Sequence, residues 1–399
     1  MKLKLSNLQA RRFLLKRHGL TGKHLFTGKE GIMSFIRRVG CIQFDPVDVC
    51  GRNADIVLNS RIRGYRKGDL EELLYKDRRL VDYFDKNLSI FPVEDLPVFL
   101  THHSTGSYAA AYERRGGEAV KQIEEVIRQL IKERGFISAK EVDTDKTIEG
   151  PWSITTSLPR AALESMYFRG ELIIHHKTGM NKSYAFMKDY IPTEILGAGL
   201  PFRTEEERFA WHIKRRIGAV GFLWNKASDA WLGLHLKAAG RTAAYEKLLT
   251  DGEIFEIEVE GIKDPLYVRE DEREALEAVL AGKALKPRAE FIAPLDSLIW
   301  DRKLISALFG FDYKWEIYTP KESRKYSAYT LPVLYGDGFV GRVDAARKDG
   351  RLVINNVWTI DGKPLDGKVK EAFEECADRF TRLNDTTRLN PRPADFITR

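Results

Sequence analysis

The stretch TSLPRAALESMYFRGELIIHHKTGMNKSYAFMKDYI, residues 156–191, divides into three segments. TSLPRAALESMYFRG predicts a helix, with Pro159 in its first turn and Gly170 just past its end. ELIIHH and SYAFMKDYI predict two strands, joined by KTGMNK, a turn rich in Gly, Asn and Lys. A helix followed by a hairpin with a basic tip is the layout of a winged helix. In that layout the helix enters the major groove of DNA and the hairpin touches the flanking backbone. Arg160, Arg169, His175, His176, Lys177, Lys182 and Lys188 make this unit basic. An α+β unit that binds nothing would read the same way.

Working outward, a weaker copy follows. TEEERFAWHIKRRIGA, residues 204–219, opens with a capping box of Thr204 and Glu207. A helix over 242–250 and paired strands FEIEVEG and PLYVRE complete it. Upstream, NLQARRFLLKR (7–17) predicts a helix capped by Ser6 and stopped by Gly19. KEGIMSFIRRV (29–39) predicts another, ended by Gly40, and residues 69–80 a further one. CIQFD is short, alternates in polarity and is closed by Pro46; VDVCGRNADIVLNSRI then resumes helical spacing. Beyond residue 285 the chain becomes strand-rich, with turn signals at Gly336–Gly338 and Asp349–Gly350, then an amphipathic helix over 366–383 and a less ordered tail, NPRPADFITR. The expected fold class is α+β, with tandem winged-helix domains and a small C-terminal β-barrel or antiparallel sheet. The expected segments are 1–92, 93–200, 201–285 and 286–399.

Composition narrows the function. The 399 residues carry 65 Lys+Arg and 58 Asp+Glu, a net +7. Residues 1–40 hold ten Lys/Arg and a single acid, Glu30, so the excess sits at one end. Nucleic-acid proteins concentrate charge in this way, and so does a solvated basic helix face. No apolar run reaches the roughly 20 residues of a membrane span, and the start lacks a signal-peptide core. Three cysteines, Cys41, Cys50 and Cys376, without CxxC spacing, argue against a disulfide scaffold or a structural zinc site. The expectation is a cytoplasmic, cofactor-free monomer, nucleoid-associated when on DNA.

Common catalytic signatures are absent: no P-loop, no GxGxxG before a helix, no HExxH, no GxSxG. His102–His103 and His175–His176 are sequence neighbours, which cannot share one face of a regular element, so they do not read as metal ligands. What remains is Ile42-Gln43-Phe44-Asp45-Pro46. In an extended segment Gln43 and Asp45 fall on one side, about 7 Å apart, with the apolar residues turned away. An amide beside a carboxylate can hold one water, the carboxylate taking its proton or stabilising a cation. Two polar residues capping neighbouring elements would give the same spacing.

The chain resembles the YcaQ/AlkX group of crosslink-repair DNA glycosylases, relatives of the AlkZ enzymes. Gln43-Phe44-Asp45 fits the Asp form of that group's Gln–apolar–Asp/Gln signature. GRNADIVLNSRIRGY, LVDYF and SIFPVEDLP resemble the blocks that follow it. APLDSLIWDRKLISALFGFDYKWEIYTPKESRKYSAYTLPVLYGDGFVGRVD resembles the long C-terminal block, and the likeness spans roughly residues 5–375. Two positions depart from the pattern. Lys86 stands where the group shows His, and Pro46 where it shows Thr.

The resemblance implies three winged-helix units and a β-barrel curled around duplex DNA. It implies hydrolysis of the N-glycosidic bond of N7-alkylated purines, including crosslinked ones, with Gln43 and Asp45 catalytic. Double-stranded DNA carrying alkylated or crosslinked purines is the implied partner, with no membrane and no cofactor. Candidate DNA contacts are Arg61, Arg63, Arg66, Lys67, Lys86, Ser89, Arg160, Arg169, Lys177, Lys182, Arg302, Arg324 and Tyr326. Each cation has an ordinary surface role as its alternative, and Arg302 has an ion pair with Asp301. Lys86 beside a sugar raises a further alternative, a Schiff base. Two other classes explain parts of the sequence. A winged-helix regulator or architectural DNA-binding protein needs no Gln43/Asp45 pair. A nuclease needs clustered carboxylates for Mg²⁺, which the sequence does not display.

Overall fold

The computed structural model describes residues 3–101, 103–149, 155–282, 286–384 and 387–389. It is a mixed α+β chain of helices and several small sheets. Two compact units emerge: Met1–Leu70 with Lys86–Ile90 and Phe202–Arg399, and Glu71–Asp85 with Phe91–Pro201. The tail 390–399 and His102 lie outside the described residues. Among the described residues no helix is long and apolar enough to cross a membrane.

The first unit closes on itself through its earliest residues. Strand Leu3–Leu5 pairs in parallel with Ile254–Val259, which pairs antiparallel with Leu266–Arg269. Ser6 caps helix Asn7–Arg17 in a reciprocal capping box with Gln9. That helix buries Ala10, Phe13, Leu14 and Leu15, and Phe13 stacks on Phe222 at 6.0 Å. Helix Gly28–Val39 ends at Gly40, whose φ of 79° a side chain would resist. The basic N-terminal segment is partly neutralised from far along the chain. Arg12 pairs with Asp337 at 2.9 Å, and buried Arg17 with Glu272 at 3.0 Å. Burial lowers the Arg17 guanidinium to about 10 despite that partner. Lys16 and Lys23 remain exposed.

The C-terminal sheet runs Ala289–Phe291, Thr330–Tyr335, Gly338–Lys348, Arg351–Thr359 and Thr387–Leu389 in that order, antiparallel until the last, parallel pair. The turns fall where the glycines predicted them: Gly336 (φ 60°) and Asp349–Gly350 (φ 48° and 70°). Within the region that reads as strand-rich from the sequence, WEIYTP (315–320) lies instead in turns and loop. Helix Gly367–Leu383 packs its Phe373 and Phe380 against Phe291.

The second unit holds the helix–hairpin. Ser157 caps helix Leu158–Phe168, which buries all its residues except Arg160. Strands Leu172–Thr178 and Asn181–Phe186 form the hairpin, and Ile137–Ser138 adds a third strand. A register shift between Ile174 and His176 breaks the strand's alternation. That bulge corrects the reading of the histidine pair: the Nδ1 atoms of His175 and His176 lie 2.7 Å apart, and Phe136 stacks on His175 at 4.4 Å. A long helix, His103–Arg134, with non-helical Gly117 inside it, had no counterpart in the sequence reading. Strand Leu80–Asp85 also replaces the end of the helix expected over 69–80, which stops at Tyr75.

One ion pair ties the first unit's early and late segments. Arg61 is wholly buried, and its two terminal nitrogens grip the Asp296 carboxylate at 2.6 and 2.8 Å. Arg61 also donates to Ser60 Oγ at 2.6 Å and lies over Phe35. It is a structural cation facing Asp296, which corrects its reading as a DNA-backbone contact: no face of it reaches solvent. Arg61→Met should lower unfolding free energy by about 3–5 kcal/mol, because Asp296 is left buried and unpaired. Adding Asp296→Asn should recover part of that loss. Urea melts of the three proteins check this, and a single variant as stable as wild type would remove the clasp from the account.

Candidate functional site

The site grows from a two-residue strand, Ile42–Gln43, pairing with Asn87–Pro92 in the register Ile42 to Ile90 and Gln43 to Ser89. The Phe44 amide donates to the Leu88 carbonyl at 2.8 Å, then the backbone leaves the ladder. Asn53, at the start of helix Asn53–Asn59 and 2% exposed, holds the exit from the other side. Its Nδ2 donates to the Gln43 carbonyl at 2.7 Å, and its Oδ1 accepts from the Leu295 amide at 3.0 Å. One buried side chain thus fixes the motif's backbone to the APLD segment. Asn53 was missed in the sequence, although a polar residue opening the helical stretch ADIVL was a visible signal.

Gln43 is 6% exposed. Its Oε1 accepts from Lys86 Nζ at 3.1 Å. An ammonium has donors only, so this contact sets the amide's orientation and turns Nε2 away from Lys86. Lys86, 3% exposed, lies 4.8 Å over the Trp300 ring, whose indole N–H donates to the Leu295 carbonyl at 3.0 Å. Arg216 sits over the same ring at 5.7 Å. Ser89 Oγ donates to the Lys86 carbonyl at 3.1 Å and is fully buried. Lys86 and Ser89 therefore act on Gln43 and on the turn rather than lying on an open surface. Burial, then the Arg216 charge, lowers the Lys86 amine to about 7.

Asp45 lies beyond the strand and is half-buried. Its Oδ1 accepts from the Val47 amide at 2.9 Å, across Pro46. This is a side-chain turn in which proline, lacking its own N–H and fixed in φ, leaves Val47 as the donor. Burial raises the Asp45 carboxyl above its ordinary value, against the Val47 hydrogen bond. A raised carboxylate is a better proton acceptor.

The other expected contacts disperse. Arg63 and Arg66 are exposed around Gly64, with Lys67 half-buried beside them, and Arg66 pairs with Asp69 at 2.7 Å. In the second unit Arg160 pairs with Glu164 at 3.1 Å, Arg169 with Glu124 at 2.7 Å, Lys177 with Asp82, and Lys182 lies 3.9 Å from Glu164. The positive charge read from that unit's sequence is therefore largely met by its own carboxylates. Arg324 donates to the Thr319 carbonyl at 2.8 Å. Arg302 lies over Tyr313 at 5.4 Å and, with Tyr326, lines a cavity. Asp301 is engaged elsewhere: it caps helix Arg302–Phe309 at the Leu304 amide and accepts from Trp224 Nε1 at 2.8 Å. Among the described residues no group of three or more His, Cys, Asp or Glu is placed to hold a metal ion.

Residues 36–383 match a family described as DNA glycosylase AlkZ-like. The chain belongs to the AlkZ-like DNA glycosylase family. Among solved structures, the Streptomyces sahachiroi DNA glycosylase AlkZ is similar in fold, with a TM-score of 0.60 at 16% identity, over 97% of this chain and 99% of that one. The matched span contains Gln43, Asp45, Asn53, Lys86, Asp296 and Trp300.

The buried amine yields a stability signature. With Lys86 lowered to about 7 in the folded chain, the unfolded chain holds more protons at this group between about pH 7 and 10, so stability rises with pH across that window. Lys86→Met removes the dependence. Thermal melts should show the variant's advantage widest below about pH 7 and shrinking toward pH 10. A gap that does not change with pH would show that Lys86 carries no burial-suppressed charge.

Proposed function

We propose that this chain is a monofunctional DNA glycosylase that hydrolyses the N-glycosidic bond of N7-alkylated purines and unhooks interstrand crosslinks made at that atom. In this reading segments 1–92, 93–200 and 201–285 are winged-helix domains and 286–399 a β-barrel-like domain that together hold duplex DNA. The observation that carries the reading is the polarity of the Gln43–Asp45 pair. Lys86 occupies the Gln43 oxygen, so the amide presents N–H donors, while Asp45 presents an acceptor. A water between them accepts from Gln43 and gives its proton to Asp45. That division of roles is what an attacking water requires.

An N7-alkyl purine carries a positive charge and leaves without a general acid, which fits a motif that offers one carboxylate and no second carboxyl. Departure of the base leaves an oxocarbenium-like sugar, as in glycoside hydrolysis. Asp45 stabilises that cation and takes the proton from the water that attacks it. Because N7 faces the major groove, a groove-tracking site can reach a base that a crosslink prevents from swinging out. Arg63, Arg66 and Lys67 supply backbone contacts that make binding salt-dependent.

Release of base from duplex DNA carrying one N7-methylguanine or a nitrogen-mustard crosslink, run in EDTA, tests the reading. Wild type should release the base, and Asp45→Asn should slow release by about 10²–10⁴-fold with melting temperature and duplex affinity retained. An equal rate in the two proteins removes Asp45 from the chemistry. No release by wild type, with salt-sensitive duplex binding intact, would instead identify a non-catalytic DNA-binding protein. In the same binding assay, Arg63→Ala and Arg66→Ala should each reduce the slope of log affinity against log salt by about 1.

A further inference from the structure

A cavity of about 910 Å³ in the first unit is walled by elements other than those that carry Gln43 and Asp45. It is walled by the start of helix Arg302–Phe309, the loop after it, the Lys325–Tyr326 loop, and strands Gly338–Lys348 and Arg351–Thr359 of the C-terminal sheet. That volume is in the range of sites for small organic ligands.

Five cations face it: Arg302, Lys303, Lys314, Lys325 and Arg342. None of the five has an ion-pair partner among the described residues. Two acids also line it: Glu316, 5% exposed, whose two oxygens accept the Lys325 and Tyr326 amides at 3.0 Å each, and the exposed Asp312. Five cations against two acids leave the lining with an excess of positive charge. Arg342 is 8% exposed. Its guanidinium lies 3.9 Å over Tyr326 and 4.8 Å over Phe311, donates to the Asp312 carbonyl at 2.7 Å, and keeps a buried Nε without a hydrogen-bond partner. A buried cation without a carboxylate is costly unless an anion arrives to meet it.

The remaining wall is aromatic. Tyr326 and Trp358 meet edge to face at 5.3 Å, both partly open to solvent. Gly341 sits between the strands beside them, where a Cβ would come within 2.3 Å of the Trp358 carbonyl. Glycine is what lets the two strands approach closely at this wall.

Positive groups beside exposed aromatic faces are the chemistry that holds a nucleotide: a phosphate on the cations and a base on the rings. Bases inside a duplex have their faces covered by their neighbours. We propose that this cavity binds an unpaired nucleotide of a DNA strand, its base against Tyr326 and Trp358 and its phosphate among Arg302, Lys303, Lys325 and Arg342. The glycosylase reading supplies only the source of that nucleotide, a strand opened at a lesion or end.

The test uses the full chain and a fluorescently labelled, undamaged single-stranded dT oligomer, read by polarisation, with dTMP and inorganic phosphate as competitors. Wild type should bind the oligomer. Trp358→Ala should weaken binding about tenfold, and Trp358→Phe should restore most of it. Matching melting temperatures establish that the variants fold. Competition by dTMP as effective as the oligomer, per nucleotide, keeps the nucleotide site and assigns it to free nucleotides. No oligomer binding by wild type, equal binding by Trp358→Ala, or phosphate competing as well as dTMP would overturn the proposal. None of these readouts involves base release, so failure here is distinct from failure of the Asp45 assignment.

Discussion

A buried clasp between residues some 235 positions apart holds the first unit's candidate site in place. Arg61 grips Asp296, and eight residues earlier Asn53 joins the Gln43 carbonyl to the Leu295 amide. Both contacts converge on the short APLDSLIW segment, and Trp300 from the same segment carries Lys86 on its face. The motif strand is only two residues long and could not hold a side chain still through its own ladder. Its rigidity comes from these buried polar contacts, each expensive to bury alone and tolerable only because its partner is there. A change at residue 296 therefore acts on Gln43 without touching it.

The same clasp explains what the sequence could and could not disclose. Local signals were legible: Ser6 and Thr204 cap the helices they were expected to cap, and Gly40, Gly336 and Gly350 end elements where expected. The candidate motif stood out through its alternation and its resemblance to a family, but the strand ends at Gln43 and Asp45 lies beyond it. The partners of the charges were not. Arg61 and Arg169 look like surface cations in sequence because their carboxylates lie far along the chain. Periodicity reports which face of an element is apolar, not which distant acid will meet a given arginine. The His175–His176 contact was hidden for another reason: a bulge suspends the alternation on which the sequence argument relied.

Lys86 shows how a departure from a family pattern can be accommodated. The amine stands where the resemblance leads one to expect His, sealed from solvent, and its neighbours are an amide oxygen and an indole face rather than a carboxylate. Both are groups that favour a cation without neutralising it. The amine supplies a donor toward Gln43 and so sets the amide's orientation.

The strand Leu3–Leu5 has its partner at Ile254–Val259, and Arg61 has its own at Asp296. During synthesis the motif around Gln43 is made well before the segment that steadies it. A chain still on the ribosome carries Gln43 and Asp45 without their support. A nascent copy is thus an unfinished tool, and the ordering of the chain itself delays the motif's fixing until the segment around Asp296 has been made.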